Sequence, residues 1–361
     1  MSGEASGHGP PAWVVGIVGF AIGAGLVLRL LALDGMDPTI FLAFGEEKPL
    51  QTAYGRSHLG RVAVRAGAGH DGKYFFIQAN DPWFLDPEAN AAFLDIPFYR
   101  GQRMLYPSIA SGFGTLPPEA IPWSLLGVNL LALAVGTAIG ARLARTSSST
   151  TWLGLSVALN IGLIFELLID GSGVLAYTCC IGALYALTRD RIWLAAALFA
   201  GAALSREVMV AFALGVFALW WVERRKLPWP IVIVPLSAMA GWAAYLASRL
   251  WGIPGTGTEL TFLSPPFVGF VRAFGPWLRS PDQLLINGLT VAVVVAFTPL
   301  ALRGRLPLAW GALPFVALMP FLSVDVFLET PDLTRAIAPI FTACAFLVIV
   351  REGGHPARPS P

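Results

Sequence analysis

The sequence predicts an all-α transmembrane protein of about ten membrane helices, with a long first outer loop bearing short interfacial helices. Three observations carry this. Hydrophobic residues make up 56% of the chain and charged residues 13%, with a mean hydropathy of +0.67, whereas a soluble domain carries about 25% charged residues. Apolar residues fall in runs close to the ~20 needed to cross ~30 Å of hydrocarbon. Basic residues concentrate in alternate connections between those runs. Residues 1–361 therefore read as a single integral membrane domain.

The first run, Trp13–Leu33, exceeds the roughly 7–15 residues of a signal-peptide core, and the segment before it holds Glu4 and His8 but no Lys or Arg. It is expected to be a retained span. Further runs are Ile121–Ala144, Thr151–Leu168, Gly173–Leu187, Trp229–Trp251, Leu284–Leu302, Leu306–Val324 and Ala336–Val350. The stretch Ile192–Val222 is interrupted at Ser205, Arg206 and Glu207, and charge decides how to read it. Two helices there place Arg142, Arg145, Arg189, Arg191, Arg224, Arg225, Lys226, Arg303, Arg305, Arg351 and Arg358 on one side, with Asp190, Glu223, Glu352 and Glu4 as the only acids. That asymmetry marks cytoplasmic loops, so both termini, including the tail 351–361, are expected inside.

The outer side receives the rest. Residues 34–119 carry ten carboxylates and seven basic residues among aromatics such as Tyr74, Phe75, Phe76, Trp83, Phe84, Phe98 and Tyr99. A segment this long and aromatic predicts short helices lying on the membrane. A second outer loop, 252–283, contains Pro265-Pro266 and an apolar stretch from Phe267 to Leu278, predicting another interfacial helix or a lid. A third, short outer loop joins Asp325 to Arg335.

Several classes are excluded. A net charge of +2 with no sustained basic patch predicts no nucleic-acid partner. Cys179, Cys180 and Cys344 lie inside apolar runs, so neither a structural disulfide nor a zinc site is expected. His58 and His70 read as ordinary loop histidines without ligand spacing. No nucleophile elbow, Walker loop or dinucleotide fingerprint appears where it could serve, and no cofactor is expected. Carboxylates, arginines and aromatics gathered at one face of a bilayer suit a lipid-phosphate-linked substrate. A carboxylate can deprotonate an acceptor hydroxyl, and guanidinium groups can hold a phosphate bidentately.

Four segments then become recognisable: GHDGKYFFIQANDPW (69–83), DIPFYRGQRMLYP (95–107), LSREVMVAFAL (204–214) and PDLTRAIAPIF (331–341). In this order and topology the chain resembles bacterial polytopic glycosyltransferases of the GT-C fold, over about three quarters of its length. The resemblance implies inverting transfer of a sugar from a polyprenyl-phosphate donor, at the outer face of a bacterial inner (plasma) membrane, to an unknown acceptor (lipid, glycan or protein). It implies Asp71 as general base and Arg100, Arg103, Tyr106, Arg206, Glu207 and Arg335 as substrate-binding residues. Many such proteins pair two acids in the first loop, whereas here Asp71 follows His70, so no metal is carried over.

Each of these residues also has a plainer reading. Asp71-Gly72 is a common turn dipeptide, and Asp95 fits a turn or helix start. Arg100 and Arg103 can snorkel at the membrane edge, and Tyr99 and Tyr106 can belong to an interfacial belt. Arg206 and Glu207 can pair with each other at a helix start, and Arg335 with Asp332 one turn away. Arg29 and Glu166, inside spans, receive no role. The competing classes are a transporter or lipid flippase, which would place charge at mid-membrane within inverted repeats that are not visible here, and a non-catalytic subunit of an envelope-assembly complex.

Overall fold

The computed structural model describes residues 9–147, 149–224, 228–253 and 263–352. Glu4, His8, Arg225, Lys226, Arg358, the tail from 353 and residues 254–262 of the second outer loop lie outside the described residues.

The first helix, α1 (Ala12–Leu33), runs 22 residues from Pro11, about 33 Å at 1.5 Å per residue and enough to cross hydrocarbon. Its apolar exposed face, with Trp13, Ile17 and Leu28, is what lipid solvates. Its other face carries Gly16, Gly19 and Gly23. A Cβ at Gly19 would fall 2.6 Å from the Thr137 hydroxyl and one at Gly16 2.9 Å from Ala138 Cβ. Small residues thus let this helix approach its neighbour closely.

Residues 34–119 fold as a cap of short helices: α2 (Thr39–Leu42), α3 (Pro49–Leu59), α4 (Gly72–Asn80), α5 (Pro87–Ala91), α6 (Pro97–Gly101) and α7 (Leu105–Ala110). A two-residue parallel pair, β1 (Phe44–Gly45) with β2 (Val64–Arg65), is a small departure from the all-helical expectation. His58 lies in α3 rather than a loop and stacks on Tyr54 at 4.1 Å. The cap has its own core of Leu42, Phe44, Phe75, Phe76 and Tyr106, closed by Ile121 and Leu125.

The remaining helices form the bundle: α8 (Ile121–Thr146), α9 (Leu155–Ala158), α10 (Ile161–Leu168), α11 (Gly173–Leu187), α12 (Ile192–Ser205), α13 (Val210–Arg224), α14 (Pro230–Arg249), α15 (Val268–Arg279), α16 (Pro281–Gly304), α17 (Pro307–Leu318), α18 (Val324–Leu328), α19 (Thr330–Ala336) and α20 (Ala338–Glu352). Four helices are long and apolar enough to cross a membrane: Ala12–Leu33, Pro118–Thr146, Pro230–Arg249 and Pro281–Gly304. The number rises to six if the bent pairs Thr151–Ala158 with Ile161–Leu168, at 47°, and Thr330–Ala336 with Ala338–Ile349, at 61°, each count as one. Gly173–Leu187, Ile192–Ser205 and Pro307–Phe321 are shorter apolar helices. Each apolar run of the sequence is helical over most of its length, and the membrane-integral class follows. Fewer than the expected ten reach spanning length alone.

One residue ties the two bends together. Asn160 caps α10, its Oδ1 accepting from Gly162 N at 3.0 Å and Leu163 N at 3.3 Å. Its amide nitrogen donates to Ala338 O at 2.7 Å and Thr342 Oγ1 at 2.9 Å, where the second broken pair resumes. Such a cap contributes about 1 kcal/mol before the inter-helix bonds are added.

The cap is fixed to the bundle. Arg249 donates to Phe84 O and Leu85 O, Tyr245 to Trp83 O, and Trp242 Nε1 to Gly101 O. At the other end, a cavity of about 150 Å³ gathers Leu143, Leu187, Trp220, Leu306 and Phe346, so the ends of α8, α11, α13, α17 and α20 meet there, near Arg142 and Arg189.

Candidate functional site

The carboxylate of Asp71, at the head of α4, receives three guanidinium groups. Arg100 Nη1 lies 2.7 Å from Oδ1, while Arg335 Nη2 and Arg103 Nη1 lie 2.8 Å and 3.5 Å from Oδ2. Arg100 comes from α6, Arg103 from just after it, and Arg335 from α19, 264 positions along the chain. The backbone does turn at Asp71, whose carbonyl accepts from Tyr74 N at 2.9 Å, but its side chain caps no helix amide and is left to the arginines. Gly72 is selected by packing: a Cβ there would lie 2.6 Å from Ile169 O and 2.7 Å from Phe41 O.

Behind the centre, each arginine is gripped by other carboxylates. Arg100 forks onto Asp95 through Nε and Nη2 at 2.9 Å and 3.0 Å. Arg103 forks onto Glu207 at 2.9 Å and 2.8 Å, and its Nη2 also contacts the Tyr99 hydroxyl. Arg335 donates to Glu166 Oε1 at 2.7 Å and to Asp332 Oδ1 at 2.9 Å. Glu166, 1% exposed, also pairs with Arg206 and accepts from Gly173 N at 2.9 Å. Four guanidinium groups therefore face five carboxylates. Arg100 and Arg103 additionally lie over the Tyr74 and Tyr99 rings, at 4.1 Å and 4.6 Å.

Burial by itself would push the Asp71 carboxyl up, but Arg100, Arg335 and Arg103 together hold it well below the usual carboxylate range. Its ionised form stabilises the fold above the ordinary carboxylate pKa of about 3.9, and that contribution is lost only as pH falls through the depressed value. Asp95 is also lowered: burial opposes this, and the Arg100 hydrogen bond and charge prevail.

The loop carrying Asp71 is held from below. Lys73, 1% exposed, donates from Nζ to Ala68 O and His70 O, both at 2.8 Å. Burial brings this amine down to about 8. Gly69 has φ of +69°, and a Cβ on it would fall 2.0 Å from Ala43 O, where strand β1 crosses. Gly69→Ala is therefore expected to destabilise the protein by more than about 2 kcal/mol. Thermal unfolding in lipid nanodiscs checks this, and a midpoint unchanged from the parent would contradict the crossing.

Of the residues singled out in the sequence, Asp71, Arg100, Arg103, Arg206, Glu207 and Arg335 share one ion network. Tyr106 does not join it. It is fully buried in the cap core, edge-on to Phe75 at 5.2 Å; its hydroxyl donates to Leu125 O and accepts from Asn129. The substrate-binding role is corrected to a packing one. Arg206 and Glu207 do not pair with each other: Arg206 turns to Glu166, Glu207 to Arg103. The Arg335–Asp332 pair is present but is one of three contacts. Arg29 is exposed on α1.

Two buried carboxylates went unassigned. Glu166 is the hinge between Arg206 and Arg335. Asp170, fully buried with φ of +48°, has no hydrogen-bond partner on either oxygen, and burial pushes its carboxyl well up. Among the described residues, no group of three His, Cys, Asp or Glu side chains could hold a metal ion. A cavity of about 280 Å³ is lined by Gln102, Leu236, Met239, Ala240, Trp242 and Ala243, none of them a member of the network.

Comparison of the chain with protein-family models, curated proteins and solved structures finds no match in any of the three.

Proposed function

We propose that the chain is an inverting membrane glycosyltransferase of the GT-C type. It moves a sugar from a polyprenyl-phosphate donor to a lipid, glycan or protein acceptor. In this reading the chain crosses the membrane ten times, with both termini cytoplasmic and the ion network at the outer face of a bacterial inner membrane.

One observation carries the reading. The four segments that resemble such enzymes, two of them neighbours in the cap and the other two set apart by long stretches of apolar helix, each send side chains into a single ion network around Asp71. The chemistry suits the arrangement. Asp71 takes the proton of the acceptor hydroxyl as that oxygen attacks the anomeric carbon. The bond from that carbon to the phosphate oxygen breaks, and Arg103 and Arg335 offset the charge that develops on the leaving phosphate. Arg206, paired with Glu166, holds Arg335 in place indirectly. The apolar cavity lined by Gln102, the residue before Arg103 in the chain, offers room for part of a prenyl chain.

Purified protein incubated with a panel of polyprenyl-phosphate sugars, with donor consumption and acceptor mass both followed, tests the proposal. Transfer from at least one donor is expected. Intact donors across the panel would turn the reading towards a non-catalytic subunit, and vesicle flux without transfer towards a transporter or flippase.

A further inference from the structure

Three guanidinium groups aimed at one point make a seat for a tetrahedral oxyanion, and here a carboxylate of the protein sits in it. The geometry divides each arginine into a held side and a presented side. Arg100 is held by Asp95, Arg103 by Glu207, and Arg335 by Glu166 and Asp332, always through two nitrogens. The remaining nitrogen of each, Nη1 of Arg100 and Arg103 and Nη2 of Arg335, faces Asp71. The held sides fix the forks whether or not the centre is filled.

We infer that Arg100, Arg103 and Arg335 form a phosphate-binding seat that Asp71 occupies as an internal stand-in, so that a phosphate ester entering the seat expels the Asp71 carboxylate and frees it to act. The inference rests on the proposed function for the identity of the ester, and on the ion network alone for the seat. Without Asp71, the four arginines are balanced by Asp95, Glu166, Glu207 and Asp332, so a singly charged anion in the empty seat only restores the one net negative charge that the network carries with Asp71 in it. With Asp71 in place, a second anion meets a like charge at contact in a site shielded from water, where repulsion is strong.

The consequence for catalysis follows. A carboxylate clamped by three guanidinium groups is a feeble base, because its ionised form is the one they stabilise. Once displaced, it loses those partners and regains basicity beside the phosphate that displaced it. The base is thereby armed only when a donor is seated, and an idle enzyme does not offer it to water.

The test uses the full chain in phosphatidylcholine nanodiscs, with Asp71→Asn and Asp71→Ala, and calorimetric titration with farnesyl phosphate and with inorganic phosphate. Both variants are expected to bind farnesyl phosphate about tenfold or more tightly than the parent, the scale of removing one like charge at contact. Tightening for inorganic phosphate as well assigns the seat to the phosphate itself; tightening for farnesyl phosphate alone assigns it to a lipid-borne phosphate. A folded variant that binds neither probe more tightly overturns the inference. Should neither variant fold, isotope-edited infrared spectra of the parent with carboxyl-labelled Asp decide: saturating farnesyl phosphate is expected to shift a carboxylate stretch, and an unmoved band overturns the seat. Tightened binding without transfer from any donor would remove the proposed enzyme and leave the seat standing.

Discussion

Asp71→Asn is expected, on the proposed function, to lower glycosyl transfer by about 10²–10⁴, the usual contribution of a positioned general base. The amide keeps the size of the side chain and one acceptor oxygen for the arginines, but it cannot take a proton. The loss should appear in kcat with no rise in KM for the donor, which separates removal of a base from damage to binding. Single-turnover transfer in nanodiscs, on variant protein with a parental unfolding profile, is the measurement. Near-native turnover would remove Asp71 from the chemistry.

The second large effect is on stability. Glu166 is buried inside α10 and accepts from Arg206, Arg335 and the Gly173 amide. Glu166→Gln removes the charge that balances two guanidinium groups, 12% and 7% exposed, away from bulk water. Breaking a buried pair by deleting one partner typically costs about 3–5 kcal/mol, because the other charge is left uncompensated. Thermal unfolding of the purified protein should show it. Glu166→Leu combined with Arg206→Met should recover part of the loss, since a well-packed apolar pair replaces a charged one. A loss below about 1 kcal/mol for Glu166→Gln would mean the network is wetter than its geometry implies.

The helical runs were legible because run length and polarity are local properties. Even the break at Ser205-Arg206-Glu207 could be read, from the cost of charge inside an apolar stretch. The partners of those charges could not. Arg206 is extended, with φ of −154° and ψ of 110°. Successive side chains on extended backbone point to opposite sides, so neighbours in sequence became neighbours of different segments. Glu166 shows the same limit: a lone acid in an apolar helix acquires its meaning from Arg335, 169 positions away. Tyr106 looked interfacial beside Pro107, but α7 tucks beneath α8 and takes it into the core. Asp71, Arg100, Arg103, Arg206, Glu207 and Arg335 stood out in the sequence one by one; which acid would hold which arginine did not.

Gly173–Leu187 and Ile192–Ser205 have 15 and 14 residues, hence rise only about 21–23 Å, well short of the ~30 Å hydrocarbon slab. The first is surrounded almost entirely by protein, so the deficit need not be met by stretched or compressed lipid. The start of the first, at Gly173, packs against Glu166, which pairs with Arg206 just past the end of the second. The depth of the ion network within the bundle is thus set by how early two helices stop.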